Sequence, residues 1–537
     1  MSIRSRFRFS HPQCAQADRV NGQIQPFEVS TSPHTGTLKI GALLLVLAST
    51  SFYFLTLHLA DPWIYSNDSN GPMNAIFAKN YLRYGYQETR LGQLMLPKIW
   101  GEDLGSPGLL RFYVDHPPLV PLLVSLSFAI FGMTEASARY VPLLFSVLSI
   151  WLVFLIARQL YGSPLRALLA VSFYAFTPMF LFFGQMPNHE PVVNGLVLTA
   201  VYFYLLWLDT NRPVLFVLLV LTMIVGALAG WPAYYLGLLI PMHYRIFVRN
   251  TKFRLTLLLT ATCVAMFGLF LIHVYSLEGY PGIMSLASKF FIRAGGGFSI
   301  GEFLRTELRY FNYGFTPALI LMAALYFCVR AIAFKNLSPR AVQSEAALML
   351  LFSVAIIHVF LFKQGALAHP YWIYYFAAPL AIAASGLIQL PPVWHHKLTL
   401  TRTVNAGVLL CCLLLFFVTS VPRVRMFYSK NRVEAYKIGL LINKLTVPGD
   451  VVFTSLNYMG TQLPYYADRN IHYGVRDVSH FKQFMALVRE GCNVYLSQPN
   501  AIVDGGLAQA LKGADEPIFA EGYVFIKMPG CENSRRS

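Results

Sequence analysis

Asp68, Asp115, His116, His189, Glu190, Arg293, Lys363 and His369 are of the residue types that move protons and hold anions. A carboxylate takes the proton of an attacking hydroxyl, and Arg, Lys or a His N–H holds the oxygens of a departing phosphate. Asp68 stands in Asp61-Pro-Trp-Ile-Tyr-Ser-Asn-Asp68-Ser-Asn-Gly-Pro72. Immediately after it, Met73, Ile76, Phe77, Tyr81 and Tyr84 recur at helical spacing, while Asn74, Lys79 and Arg83 turn elsewhere. That pattern predicts an amphipathic helix lying in the plane of a membrane interface, opening at Gly71-Pro72, where proline is tolerated. Asp68 then sits at the positive end of the helix dipole, which favours an ionised carboxylate. It serves there either as a general base or as a plain cap of the helix.

The elements that must position these groups belong to a membrane protein. The 537 residues are 56% hydrophobic and 12% charged, with a mean hydropathy of +0.51. Such a composition excludes an ordinary soluble enzyme. A net charge of +17 would fit nucleic acid, but the basic residues fall in short turns between apolar runs. There they retain loops in the cytoplasm, so membrane lipids and not nucleic acid are the predicted partners.

Residues 1–39 read as a polar cytoplasmic leader, and Ile40 to Leu59 as an uncleaved first span. Leu119 to Phe131 is apolar but too short to cross, and is predicted to dip into the outer interface. Val141 to Ile156 then crosses inward, which places Arg158 to Arg166 in the cytoplasm. Leu168 to Phe183, kinked at Pro178, returns to present Gly184 to Pro191 as an outer loop. Val192 to Leu208, Val214 to Ala229, Tyr234 to Ile246 and Leu255 to Tyr275 follow, and then a loop from Ser276 to Thr316. Pro317 to Val329, Ala346 to Phe362, Tyr371 to Leu390 and Ala406 to Val418 complete about eleven spans. The predicted architecture is a polytopic α-helical membrane domain, 40–420, whose first extracytoplasmic loop is 60–139. An extracytoplasmic α/β domain, 421–537, completes it.

The tail alternates a helix, Val433 to Leu445, with strand-like runs at Val451 to Ser455, Asn493 to Ser497 and Gly522 to Lys527, and with helices at Lys482 to Arg489 and Leu507 to Leu511. Its lack of a Gly-rich phosphate loop points to shaping an acceptor site. No Cys-x-x-Cys pair or metal-ligand spacing occurs; Cys492 and Cys531 either pair in the tail or stay free.

An Asp-containing turn, the helix Ala78-Lys-Asn-x-Leu-x-x-Gly85 and the later His116-Pro-Pro-Leu119 together resemble the first luminal loop of the GT-C membrane glycosyltransferases. The resemblance is to the protein O-mannosyltransferases and their bacterial relatives, including the transferases that put aminoarabinose on lipid A. It spans roughly Gly41 to Pro379, and rests on order, spacing and topology. It implies a GT-C fold and sugar transfer, with inversion, from a polyprenyl-phosphate donor to an acceptor hydroxyl on the extracytoplasmic face. Asp68 takes the place of the catalytic Asp. The mannosyltransferases have Phe-Asp-Val-His-Pro-Pro where this chain has Tyr113-Val-Asp115-His-Pro-Pro, so the acid is shifted by one. The aminoarabinose enzymes have Glu-Lys-Pro there, with the Lys near the donor phosphate; His116 in that place meets a phosphate when protonated or as an N–H donor. Glu190, beside His189, takes the place of a second acid that positions acceptor or sugar, or else is a solvated loop residue. Arg293, in Phe-Phe-Ile-Arg-Ala-Gly-Gly-Gly297, resembles the Arg near the lipid phosphate. Lys363 and His369 add charge to that site, or Lys363 merely snorkels at a helix end. Arg139 is a phosphate contact or an interface anchor.

No Asp-x-Asp, Walker loop or His-Glu-x-x-His occurs, and the family pattern implies transfer without metal or cofactor. No large insertion interrupts Ser276 to Thr316, which favours a bacterial-type member in the cell's inner membrane and leaves lipid, glycan or protein open as acceptor. A transporter or flippase of lipid-linked sugars would carry ionisable residues near mid-membrane and pseudo-repeated halves, whereas these acids cluster in loops. An oligosaccharide ligase or polymerase remains a second alternative.

Overall fold

Apolar runs of bilayer length satisfy their backbone polar groups internally by becoming helices. In the computed structural model, which describes residues 34–65, 67–95, 112–248, 252–387, 398–454, 460–473, 494–499 and 517–527, seven helices are long and apolar enough to cross a membrane. They are Leu38–Thr56, Glu135–Tyr161, His189–Thr210, Phe253–Ala294, Ile300–Asn336, Pro339–Leu361 and Leu409–Phe427. Each coincides with a span predicted above. The remaining four predicted spans are shorter or broken: Pro164–Ala175 with Pro178–Phe183, Pro213–Ala229, Pro232–His243, and the 3-10 turn Pro370–Phe376 running into Ala377–Leu387. The break at Pro178 follows from its ring, which pushes Thr177 into extended backbone (φ −66°, ψ 143°).

The predicted loop from Ser276 to Thr316 is instead helix on both sides of a glycine turn. Phe253–Ala294 bends at Gly279 (φ 62°, ψ −152°), a conformation suited to glycine. Ile300–Ala333 bends at Thr316 (φ 66°), directly before Pro317. Lys289, Arg293, Glu302, Arg305 and Arg309 lower the hydropathy of this stretch. Charges confined to one face are nonetheless compatible with an amphipathic helix.

The basic turns gather at one end of the bundle. There Gln159 donates to Asp209, Lys252 Nζ to Asn211 Oδ1 at 3.0 Å, and Arg330 pairs with Glu345 at 2.6 Å. At the other end lie the first loop, the start of the helix His189–Thr210 and the C-terminal domain. Leu119–Phe131 leaves and returns to that same end. The next helix opens with a Thr134 capping box, and its Glu135 accepts from Tyr466 Oη of the C-terminal domain at 2.9 Å.

The C-terminal domain is α/β. Its sheet runs in the order 470–472, 451–454, 494–499, 523–527, 518–520; the first three strands are parallel and the last two antiparallel. The helix Val433–Leu445 covers it through Ala435, Ile438 and Ile442. The predicted helices at 482–489 and 507–511 and the Cys492–Cys531 pair lie outside the described residues. Tyr65 bridges to Lys430, and Arg432 N donates to Ile64 O at 3.0 Å, so the domain docks on the first loop.

Candidate active site at the first loop

The predicted helix forms over Asn70–Tyr84, with Phe77 and Tyr81 fully buried. It is not laid open to water along a polar face, as the sequence pattern suggests. Asn74 is buried and donates to Pro187 O at 2.9 Å. Lys79 lies 3.8 Å over the Tyr465 ring, and Arg83 pairs with Asp468 at 2.6 Å. The C-terminal domain covers the face that the sequence assigned to solvent.

Asp68 does not cap this helix. The capping position is Ser69, which makes no side-chain cap bond. The Asp68 carboxylate is buried and faces Arg139 at 3.5 Å. Burial pushes its pKa up to about 6; Arg139 pulls the other way, and Asp61 adds to the rise. Arg139 is buried and is not a surface anchor. It is 2% exposed, donates to the carbonyls of His58, Leu59 and Asp61 at 3.2, 2.8 and 2.6 Å, and lies 4.0 Å over the Trp63 ring. It is an internal strut that ties the start of the first loop to the helix Glu135–Tyr161. Ser69 O accepts from the Thr461 hydroxyl, which joins the Asp68 turn to the C-terminal domain.

A second cluster forms around Asp115 and His116. The two-stranded ribbon Gln93–Leu94 with Phe112–Tyr113 fixes the approach. Gln93 Nε2 then donates to His116 O at 2.6 Å and Trp231 Nε1 to Asp115 O at 3.0 Å. The Asp115 side chain, 3% exposed, accepts from Lys289 at 2.8 Å and from Arg293 at 2.7 Å. These two cations lie one turn apart on a single helix face. His116 is half-buried and stacks on His189 with centroids 4.2 Å apart. Burial, with His189 and Arg293 adding, holds its pKa well below the ordinary value, so the ring is neutral. Tyr113 Oη lies 3.0 Å from His116 Nδ1. A hydroxyl donating there leaves the proton on Nε2, so His116 meets an anion as an N–H donor and not as a cation.

His189 and Glu190 form the first turn of the helix His189–Thr210 and are buried, not a solvated outer loop. His189 Nδ1 donates to Ala229 O at 2.7 Å. Among the described residues, His189 Nε2 and Glu190 Oε2 have no hydrogen-bond partner. His369 Nδ1 lies 2.9 Å from Tyr371 Oη, and burial with Arg293 nearby brings its pKa down to about 4. Lys363 opens the short helix Lys363–Ala368 and is half-buried outside the cluster.

Asp115, His116, Lys289, Arg293 and His358 line a cavity of about 360 Å³ whose other walls are aromatic and aliphatic, among them Trp231, Phe267, Phe290, Phe362 and Trp372. A separate cleft of about 470 Å³ lies between the helix Asn70–Tyr84 and the C-terminal domain. Met73, Lys79 and Asn80 form one side, and Thr461, Asp468 and Asn470 the other. Lys289 lines both spaces, whereas Tyr113 lines only the cleft. Asp68 lines neither. Lys289, Tyr113, His358 and Trp372 were not singled out in the sequence. The signal for Lys289 was its place four residues before Arg293, legible only once that stretch is read as helix. Among the described residues, no group of three or more His, Cys, Asp or Glu is arranged to hold a metal.

A bundle with its polar groups gathered under a docked α/β domain has the GT-C fold of polytopic membrane glycosyltransferases. A family described as dolichyl-phosphate-mannose-protein mannosyltransferase matches residues 115–275, the segment that holds Asp115, His116, His189 and Glu190. Among solved structures, ArnT from Cupriavidus metallidurans bound to undecaprenyl phosphate superposes with a TM-score of 0.57 at 14% identity, over 92% of this chain and 98% of that one. The archaeal oligosaccharyltransferase AglB from Archaeoglobus fulgidus, in complex with an inhibitory peptide and a dolichol-phosphate, gives 0.58 at 14% identity, over 87% and 70%. The arabinofuranosyltransferase AftD from Mycobacteria gives 0.51 at 14% identity, over 91% and 40%. An uncharacterized protein of Aquifex aeolicus (strain VF5) is 24% identical over 191 residues, 36% of this chain and 34% of that protein. The chain thus matches about a third of the length of that curated relative.

Proposed function

We propose that this protein is an integral-membrane glycosyltransferase that moves a sugar from a polyprenyl-phosphate donor to an acceptor hydroxyl. Transfer inverts the anomeric centre and needs no metal. The observation that carries this reading is the pair Lys289 and Arg293 set into one wall of a cavity otherwise lined by aromatic and aliphatic side chains. An apolar chain ending in phosphate fits that combination: the walls take the hydrocarbon, and the cations with His116 Nε2–H hold the phosphate oxygens. The likeness in fold to ArnT and AglB, whose structures hold undecaprenyl phosphate and a dolichol-phosphate, supports it.

In the reaction, the sugar's C1–O bond to phosphate breaks and its electron pair stays on the phosphate. The acceptor oxygen bonds to C1 from the opposite side, and its proton passes to Asp68. A carboxyl with a pKa near 6 is ionised at neutral pH yet basic enough to take a proton in the transition state. The acceptor enters by the cleft beneath the C-terminal domain, whose Thr461 bonds Ser69 O beside Asp68, and lipid, glycan and protein stay open as the acceptor class. The basic turns at the far end face the cytoplasm by the positive-inside rule, which sets the active end outside a bacterial-type inner membrane.

Purified protein supplied with a panel of polyprenyl-phosphate sugars tests this. Asp68→Asn preserves shape and removes the proton acceptor, so transfer falls at least about a hundredfold while donor binding stays near normal. Full transfer by Asp68→Asn refutes Asp68 as the base. Glu190 would then be the alternative, because its buried Oε2 has no hydrogen-bond partner among the described residues; loss of transfer in Glu190→Gln alone identifies that case.

A further inference from the structure

Three charges meet at the cavity wall, two positive and one negative. Lys289 and Arg293 contribute cations, and the buried Asp115 accepts from both, at 2.8 and 2.7 Å. If the cavity only had to hold an anion as tightly as possible, a buried acid on its two cations would be a poor choice. We propose that Asp115 sets the charge balance of this wall so that it discriminates the donor from the lipid product. The proposal rests on the reading of the cavity as a lipid-phosphate site.

Before transfer, the donor is a phosphodiester with one negative charge. With Asp115 it balances Lys289 and Arg293, and the set is neutral. When the C1–O bond breaks, the phosphate keeps the electron pair and becomes a monoester. A phosphomonoester has a second pKa near 6 and carries nearly two charges above neutral pH. With Asp115 still in place, the wall then holds about three negative charges against two positive. The excess lies in a pocket of aromatic and aliphatic side chains, where it is poorly screened. The spent lipid phosphate is therefore repelled while an intact donor is not. Asp115 is held for this task from several sides: Trp231 Nε1 donates to its carbonyl at 3.0 Å, and Gln93 Nε2 to the next carbonyl at 2.6 Å. Neither contact touches the carboxylate, which leaves its charge to the two cations. Asp115 is thus a positioning and charge-setting residue, and it need not touch the reacting carbon.

One extra charge about 5 Å away at an effective dielectric of ~20 would change affinity on the order of a hundredfold; the partial exposure of Lys289 lowers this to about tenfold. The test is the affinity ratio of polyprenyl phosphate to polyprenyl-phosphate sugar, measured at pH 8 on detergent-purified full chain. Asp115→Asn is expected to shift the ratio about tenfold toward the product lipid and to deepen product inhibition by the same factor. Lys289→Met removes a cation and is expected to move the ratio the other way. A general structural role for Asp115 would weaken both ligands together and leave the ratio unmoved. Ratios within twofold of the natural protein in both variants, or Asp115→Asn shifting toward the donor, overturn the proposal. If Asp115→Asn does not fold, the direction of the Lys289→Met shift alone decides. If the natural protein binds neither lipid, the lipid-phosphate reading itself is overturned, a result distinct from an unmoved ratio.

Discussion

Replacing Arg139 probes the first loop where its electrostatics are most exposed to measurement. The Asp68 carboxyl stands at about 6 instead of the ordinary 3.8 because burial outweighs the pull of Arg139. Ionised Asp68 therefore costs the fold: the contribution of this group to stability is greatest below pH about 4 and declines as pH rises through 6. The two groups are 3.5 Å apart and almost fully buried. At an effective dielectric of ~20, unit charges at that spacing interact by roughly 5 kcal/mol, an upper bound, and breaking buried pairs costs about 3–5 kcal/mol. One pKa unit corresponds to about 1.4 kcal/mol. Even a third of the interaction thus moves Asp68 up by about a unit. Arg139→Met should carry the acid limb of the kcat/KM–pH profile from about 6 to above 7, with activity recovering toward pH 8.5. Arg139→Lys keeps the charge and should leave the limb within about half a unit of its place. Sugar transfer from pH 5 to 9, with thermal unfolding of each variant alongside, reads both effects. An Arg139→Met enzyme that transfers sugar with its acid limb unmoved would refute the coupling and the assignment of the limb to Asp68.

Arg293→Ala should lower kcat/KM for the lipid donor by about 10- to 100-fold, since a charge-assisted bond to phosphate is worth roughly 1.5–3 kcal/mol; unchanged kinetics would mean that Arg293 holds Asp115 and not the donor phosphate. Gly365→Ala would drive a methyl group into the ring of Trp372, which lines the cavity proposed for the donor lipid. Its expected cost is about 1–3 kcal/mol of stability, with weaker donor binding, and a thermal melt at the natural value would show that the ring swings away freely. For topology, Gln87→Cys and Arg212→Cys in a cysteine-free background, both exposed, should label from opposite sides of the membrane, Arg212→Cys only after permeabilisation of the cell. Labelling of both from outside would contradict the assignment of the basic turns to the cytoplasm.

Much of this protein was set by local composition. Apolar runs such as Val141 to Ile156 and Ala346 to Phe362 have no alternative in a bilayer to becoming helices. The spacing of Met73, Ile76, Phe77, Tyr81 and Tyr84 is visible without any partner, as is the alternation of Val451 to Ser455. Arg293 and Asp115 were each conspicuous by type. What the sequence could not carry was pairing. Asp68 and Arg139 lie 71 residues apart, and only the packing of the loop onto the helix Glu135–Tyr161 turns a helix cap and an anchor into a buried ion pair. Asp115 meets Arg293 across 178 positions, while Lys289 stayed hidden because hydropathy averages a charged face together with the apolar face behind it. Tertiary structure also buried His189 and Glu190, which a turn-like sequence had left to solvent. It covered the helix Asn70–Tyr84 with the C-terminal domain as well. Periodicity is a property of neighbours along the chain, whereas burial and charge balance depend on what folds over them.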